Sequence, residues 1–282
     1  MHKFLRAIGF SDITKKDLEM ILDEVITRPE IMKITKDSEG NEFAELSGSF
    51  AANAGITVRG TYQEDDSFHM DYYYPYVFGT SITTNEQIDV EKHAEKESYA
   101  GVCDEVNLGV TLIFYIQNVA DYLAETNRHL SKIHYGAMLA GLSTEGKILC
   151  PVVERKKNDV PAIQKNDRHN QLIAQAREGD EDAIESLTLE DMDTYALLSQ
   201  RVMKEDIFSI VKSTFMPFGI ESDQYTVLGE IIDCVTMENR LTHEKLYGMK
   251  LLCNNIQFDV CINEKDLLGE PAIGRRFRGN VW

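Results

Sequence analysis

The sequence predicts an α+β protein: an N-terminal antiparallel or mixed sheet with packed helices, then a helical segment and a small C-terminal β-barrel-like domain of the SH3-like or OB-like kind. Apolar residues recur at helical spacing near the N-terminus, alternate at strand spacing over residues 43–78 and alternate again beyond residue 225. The expected division is 1–160 for the α+β domain, 161–220 for a helical connector and 221–282 for the barrel-like domain.

The first predicted elements are an amphipathic helix and an antiparallel meander. Apolar residues from Ile13 to Ile26 fall on one stripe, which predicts a helix over residues 13–27. Ser11 or Asp12 is the expected cap, and Pro29 closes the end. Strand-like segments with turn residues between them follow at Phe43–Phe50, Ile56–Tyr62 and Phe68–Phe78.

The third of these strands carries a dense aromatic stretch, FHMDYYYPYVFG. Alternation places Tyr72 and Tyr74 on one face with the other even-numbered side chains. That row is either a core face beneath a helix or an exposed binding platform, and the sequence leaves both open. Pro75 indicates an edge position or the end of the strand.

The middle of the chain mixes helical and strand patterns before a polar boundary. The expected elements are a helix at Asn85–Ala100, a strand at Val106–Gln117, a helix at Val119–Leu130 and a hairpin in residues 135–153 around Thr144–Gly146. The polar segment 154–170 is the expected domain boundary.

The last third begins helical and then changes to a period of two. Gly179 and Asp180 open a helical region that continues to Val211. Four strands are expected at Tyr225–Val235, Lys245–Cys253, Ile256–Ile262 and Ile273–Trp282, with a tight turn at Asn254 and Asn255.

The charge of the chain argues against two classes of partner. The net charge is −18, from 47 acidic and 29 basic residues. Duplex nucleic acid and anionic membranes repel such a surface, because both are bound largely through Lys and Arg. An aromatic platform for single-stranded nucleic acid also needs a basic groove, and the charges beside Tyr72 are acidic. We therefore expect no nucleic acid and no membrane as partners.

The cysteines and the N-terminus predict a cytoplasmic location. The five cysteines form no CxxC pair, and Cys103, Cys234, Cys253 and Cys261 lie within or beside apolar stretches, as is typical of buried free thiols. The N-terminal residues have no signal-peptide core, and the strongest apolar run, Val110–Ile116, is too short for a membrane helix.

Recognisable catalytic and metal-binding signatures are missing from the sequence. It contains no GxSxG, no GxxxxGK[ST], no GxGxxG and no HExxH. We therefore predict no catalytic residue, no metal site and no cofactor from motifs. Dispersed carboxylates remain possible acid–base groups, since such partners can be distant in sequence.

A basic patch stands out in the acidic chain at Arg275, Arg276 and Arg278. On a strand, Arg276 and Arg278 share one face. Such a pair either clamps a carboxylate or phosphate of a ligand or pairs with the acidic region 178–238 of the same molecule. Together with Tyr72 and Tyr74, these arginines are the candidate binding residues.

Three stretches carry a resemblance to a known family: MHKFLRAIGF, KEDIFSIVKSTFMPFGIESDQYTVLGEI and GEPAIGRRFRGNVW. Together they resemble a domain-of-unknown-function family of about this length from clostridial, Gram-positive anaerobic bacteria. The resemblance covers most of the chain. It implies a cytoplasmic bacterial protein and assigns no activity.

The functional prediction is a non-enzymatic module that binds another protein or regulates it. The alternative is a hydrolase that uses dispersed Asp and Glu residues. A third hypothesis is self-association, in which acidic and Arg-rich faces pair across a two-fold axis.

Overall fold

The computed structural model describes residues 1–92, 97–127, 136–152, 180–189, 211–219 and 223–282, with the single residues 172, 175 and 192. Two compact units divide the chain: one combines Met1–Leu149 with Ser213–Trp282, and the other is Cys150–Lys212. In the second unit, residues 181–189 are helical, and Asp180 caps that helix by accepting from the amides of Asp182 and Ala183. The rest of the predicted helical region up to Val211 lies mostly outside the described residues, as does segment 154–170.

An antiparallel four-stranded sheet forms the N-terminal half of the first unit. Its strands follow the order β1 (Ile31–Lys36), β2 (Glu42–Ala51), β3 (Ala54–Tyr62) and β4 (Phe68–Val77). The predicted meander is confirmed, and β1 is an additional strand. Pro75 lies on β4, which is an edge strand of this sheet, as its missing N–H requires.

The predicted N-terminal helix is confirmed as α1 (Lys15–Thr27), preceded by a 3₁₀ helix, Lys3–Ile8. The N-cap of α1 is Thr14 instead of Ser11 or Asp12, because the Thr14 hydroxyl accepts from the amide of Asp17. Buried residues of both helices pack with apolar side chains of β2 and β3 in one core cluster.

A second helix and a small sheet follow. The helix α2 (Val119–Asn127) packs Val119 and Leu123 with Phe43 of β2 and Tyr99. The three-stranded antiparallel sheet contains β5 (Asp89–Lys92), β6 (Tyr99–Glu105) and β7 (Val110–Tyr115). The helix predicted at Asn85–Ala100 is therefore wrong in its described residues, because β5 pairs with β6 over that stretch.

The remaining seven described strands form one sheet that closes into a β-barrel. They are β8 (Ala140–Leu149), β9 (Thr214–Pro217), β10 (Tyr225–Glu238), β11 (Lys245–Cys253), β12 (Ile256–Asn263), β13 (Leu267–Leu268) and β14 (Arg276–Val281). The ring closes because β10 pairs with both β11 and β14, while β8 joins β12 to β14. The predicted turn between β11 and β12 is confirmed, with positive φ at Asn254 and Asn255.

The hairpin predicted around Thr144–Gly146 is wrong, since β8 continues through it as one strand. Gly146 makes no turn here, and a side chain at this position would clash with a neighbouring ring. A Cβ at Gly146 would lie 2.4 Å from Cε2 of Phe277, whose ring is fully buried. The glycine therefore makes room for a core ring across the β8–β14 pair.

The predicted α+β class is wrong as well, because the part of the chain that the structure describes is mostly β with few helices. The barrel is also larger than a local C-terminal domain, since its strand β8 lies within the predicted 1–160 domain. Leu142, Leu246 and Cys261 of barrel strands pack in the same core cluster as the N-terminal helices. The division at residues 160 and 220 stays a prediction.

Candidate functional site: an aromatic cleft

A cleft of about 410 Å³ lies in the first unit, between edge strand β4, strand β7 and the barrel. The stretches Tyr72–Val77, Leu112–Gln117 and Leu139–Leu142 supply much of its wall, and Trp282 closes one side. Ten of its described lining residues are Phe, Tyr or Trp. Its volume falls within the range of small-molecule sites, roughly 300–1,000 Å³.

Arg59 of β3 is the central cation of the cleft, and its side chain is 3% exposed. Its Nε donates to Oε2 of Glu45 at 3.0 Å. Its Nη1 and Nη2 donate to the hydroxyls of Tyr72 and Tyr74 at 2.9 and 2.8 Å. Nη2 also reaches the carbonyl oxygen of Gln117 at 2.8 Å. All three guanidinium nitrogens therefore have internal partners, and the charge of Arg59 is already balanced by Glu45.

Burial shapes the protonation of this group. Desolvation opposes the charge of Arg59, but the nearby Tyr74 and Glu45 outweigh it and raise its pKa. Burial raises the pKa of Tyr74, with Arg59 opposing, and also raises the pKa of Glu45 against the attraction of Arg59. At neutral pH Tyr74 is a neutral phenol, so this wall adds no net charge to the cleft.

The structure brings the predicted residues Tyr72 and Tyr74 together around Arg59. The Arg59 guanidinium carbon lies 5.8 and 4.7 Å from their ring centroids. Exposure varies along the aromatic row: Tyr72 and Tyr74 are half-buried, Tyr76 is 1% exposed and Phe78 is 40% exposed. The core and platform hypotheses therefore each describe part of the row.

Trp282 and His2 stand at the mouth of the cleft. The Trp282 ring stacks on Phe4 at 4.9 Å and lies 4.7 Å from the His2 ring. Its Nε1 donates to Oδ2 of Asp223 at 2.6 Å. Burial, with help from the neighbouring Lys3, lowers the pKa of His2 to about 4, although Asp223 opposes the shift. His2 is therefore neutral at pH 7.

Tyr225 of β10 fixes one wall of the cleft. Its hydroxyl accepts from the amide of Ile113 on β7 at 2.7 Å and reaches the Ile113 carbonyl oxygen at 3.2 Å. One side chain thus satisfies both backbone groups that Ile113 presents away from β6. The contact ties the small sheet to the barrel across the cleft.

Two lining residues carry buried polar atoms that lack a hydrogen-bond partner: Nδ1 of His2 and Oε1 of Gln117. The Gln117 amide is oriented by its Nε2, which donates to the carbonyl oxygen of Val77 at 3.2 Å. Such unsatisfied atoms are uncommon in folded proteins and recur at functional sites.

The predicted arginine patch lies away from the lining of the cleft. Arg275 is exposed and donates from Nη1 to the carbonyl oxygen of Glu270 at 2.7 Å. Arg276 is 4% exposed on β14, and Arg278 is half-buried on the same strand. The structure thus separates these three residues from Tyr72 and Tyr74. Pairing of the patch with region 178–238 stays a prediction.

Clustered metal ligands and membrane-spanning helices were both sought in the described residues. No group of three or more His, Cys, Asp or Glu side chains in that part of the chain is arranged to hold a metal ion. Nor does any helix there combine the length and the apolar character needed to cross a bilayer. Asp223 is the one carboxylate among the described residues that line the cleft.

Sequence reasoning missed Arg59, His2, Asp223 and Trp282 as site residues. Arg59 had one signal, because it is the only charged residue in the strand segment AGITVRGTY. A lone charge in an apolar strand needs a buried partner, and Glu45 lies opposite Arg59 on β2. The other three residues are far apart in sequence, so no local pattern connects them.

Comparison with known proteins gives one match. A family model described as a domain of unknown function, E. rectale gene description (DUF3881), matches residues 5–282. No curated protein and no solved structure matches the chain.

Proposed function

We propose that this chain, which belongs to the DUF3881 family of domains of unknown function, binds a small, mainly apolar molecule in the aromatic cleft and performs no chemistry on it. The observation that carries the proposal is the cleft itself, which has a volume of about 410 Å³ and is lined by ten described aromatic side chains. Aromatic side chains supply large apolar contact areas at a low cost in conformational entropy.

The charges of the cleft favour a ligand without negative charge. Arg59, its buried cation, is balanced by Glu45 and engaged by two tyrosines, so it has little to offer an anion. His2 is neutral at pH 7, and Asp223 adds a carboxylate at the mouth. An anionic ligand would lose its hydration without gaining a compensating charge.

The hydrolase alternative has less support. Acid–base hydrolysis by carboxylates uses a pair of them close to the reacting bond. Among the described lining residues the cleft offers only Asp223, which is already bound to the indole of Trp282. The protein-binding module stays a prediction, since its arginine patch lies outside the cleft.

We also infer a cytoplasmic location, and the cysteines support it. Cys103, Cys253 and Cys261 are buried free thiols. Proteins of oxidising compartments commonly use cysteines as disulfides instead.

A titration with N-phenyl-1-naphthylamine, a neutral apolar fluorescent dye, tests the binding proposal. Trp282 is the single tryptophan of the chain and lines the cleft, so its emission reports directly on occupancy. We expect saturable quenching of Trp282 with one dye bound per chain.

The matched variants are Tyr115→Ala and Phe78→Ala. Both rings are exposed to nearly the same extent, 39% and 40%, but only Tyr115 lines the cleft. Losing one aromatic contact should weaken dye binding about fivefold in Tyr115→Ala, from about 1 kcal/mol of lost interaction. Phe78→Ala should bind like the unmodified protein. Equal affinities in both variants, or no saturable quenching at all, would contradict the proposal.

A further inference from the structure

The mouth of the cleft carries one carboxylate in a fixed position. Asp223 accepts from the Trp282 indole through Oδ2, at 2.6 Å. Because the indole nitrogen is a donor only, this contact holds the side chain without cancelling its charge. Asp223 is half-buried, so its remaining field is less screened than that of a surface carboxylate.

The carboxylate shares the cleft lining with three aromatic rings, one of which, the indole of Trp282, it contacts directly. The ring of Tyr115 lies 6.3 Å from the ring of Trp282, and both line the cleft with Tyr225. The charge of Asp223 also contributes to the raised pKa of Tyr225, after the larger effect of burial. Electron-rich ring faces attract cations, most strongly when a cation is also desolvated. A carboxylate among Trp and Tyr rings is a setting that recognises organic ammonium groups.

The two basic side chains among the described lining residues leave Asp223 available to a ligand. Arg59 is paired with Glu45 in a salt bridge, and His2 is neutral at pH 7. Lys3 places its Nζ 3.1 Å from Oε1 of Gln224 and 4.9 Å from the centroid of the Phe4 ring. Lys3 should oppose a second cation at the mouth, which gives the inference an independent check.

From this arrangement we propose that the mouth of the cleft, formed by Asp223, Trp282, Tyr115 and Tyr225, binds the ammonium group of an organic cation whose apolar body fills the cleft. The inference rests on the proposed function, since the body of the ligand occupies the same cavity. The net charge of −18 acts in the same direction, because it raises the local concentration of cations.

Three matched probes test the inference: 4-phenylbutylamine, 4-phenylbutanol and 5-phenylpentanoate, which share one phenylbutyl body and differ in charge. Affinities are measured at pH 7 by displacement of N-phenyl-1-naphthylamine. We expect the amine to bind about tenfold more tightly than the alcohol, and the carboxylate to bind most weakly.

The variant Asp223→Asn should abolish this preference, so that the amine and the alcohol bind equally. Asparagine keeps an oxygen acceptor for the Trp282 indole, so the shape of the mouth is preserved. The control Asp233→Asn removes the same charge from an exposed position outside the cleft and should keep the tenfold preference. Lys3→Met should strengthen binding of the amine about twofold and leave the alcohol unchanged.

The outcomes separate the two proposals. Binding of the alcohol with no preference for the amine, or a preference that survives in Asp223→Asn, overturns the ammonium site and leaves the apolar cleft standing. If the protein does not bind the dye saturably, the proposed function is overturned, and the ammonium site with it. If Asp223→Asn does not fold, the Lys3→Met result decides, and an unchanged amine affinity there overturns the inference.

Discussion

At the residue scale, Arg59 of the cleft wall and Glu45 form a buried ion pair. Both side chains are removed from water, with exposures of 3% and 7%, and the guanidinium Nη2 lies 2.8 Å from Oε2 of Glu45. Bringing two charges into the interior costs several kcal/mol each, and only their mutual contact and hydrogen bonds offset that cost. Neither residue can therefore be removed alone without penalty.

Replacing Arg59 by methionine should lower the free energy of unfolding at pH 7 by about 3–5 kcal/mol, because Glu45 is left buried without a counter-charge. The double variant Arg59→Met with Glu45→Met should recover much of this loss, since no unpaired charge remains. Urea unfolding of the two variants and the unmodified protein measures the difference. A double variant no more stable than Arg59→Met would contradict this account.

The loss of unfolding free energy in Arg59→Met should also depend on pH. Burial already raises the pKa of Glu45 above its ordinary value of 4.5, and removal of Arg59 takes away the attraction that opposes the shift. The folded variant then binds a proton more readily than the unfolded chain, so its stability falls as pH rises. Urea unfolding should therefore show a smaller loss at pH 5 than at pH 7. Equal losses at the two pH values would show that Glu45 is not the cause.

At the scale of elements, one hydroxyl attaches strand β7 to the barrel. Ile113 lies in the middle of β7, and its amide and carbonyl face away from β6 toward Tyr225. Buried backbone groups need partners, and no strand pairs with β7 on this side among the described residues. The position of β7, and with it one wall of the cleft, depends on this side chain.

The variant Tyr225→Phe removes the hydroxyl and keeps the ring. We expect a loss of about 1–2 kcal/mol in stability, because the Ile113 amide and carbonyl lose a partner. Hydrogen exchange followed by NMR should show faster exchange of the Ile113 amide. Tyr247→Phe is the control, since that hydroxyl donates to an exposed carboxylate, Glu264, and its loss should leave Ile113 unaffected. Unchanged protection of the Ile113 amide in Tyr225→Phe would rule out this role.

At the scale of the whole molecule, closure of the barrel joins distant parts of the chain. Strand β8, from Ala140–Leu149, lies between β12 and β14, and the residues between β8 and β9 belong mostly to the second unit. Without β8, the backbone groups of β12 and β14 on that side would face water and the ring would stay open. The barrel is therefore closed by pairing between segments far apart in the sequence.

Two shortened chains test this closure. The isolated segment 213–282 should not fold, because it lacks β8 and the Leu142 contact with the shared core. A chain in which a Gly/Ser linker replaces residues 150–212 keeps the whole first unit and should unfold cooperatively. Circular dichroism during thermal unfolding distinguishes them. A cooperative transition in segment 213–282 alone would instead support an autonomous C-terminal domain.

The sequence by itself determined the elements whose signals are local. Helix α1, strands β2 to β4 and the turn at Asn254 and Asn255 follow from periodicity and turn residues, and the structure confirms them. The aromatic stretch was also found from sequence, because neighbouring positions on one strand stay together in any fold. The three N-terminal, central and C-terminal stretches identified the family as well.

Tertiary structure alone decided the fold class, the closure of the barrel and the composition of the cleft. The glycine at position 146 is indistinguishable from a turn residue until Phe277 is packed against it. His2, Arg59, Asp223 and Trp282 meet only after sheets from both ends of the chain have assembled. The physical reason is that local sequence patterns report on neighbours along the chain, whereas packing and charge pairing depend on neighbours in space.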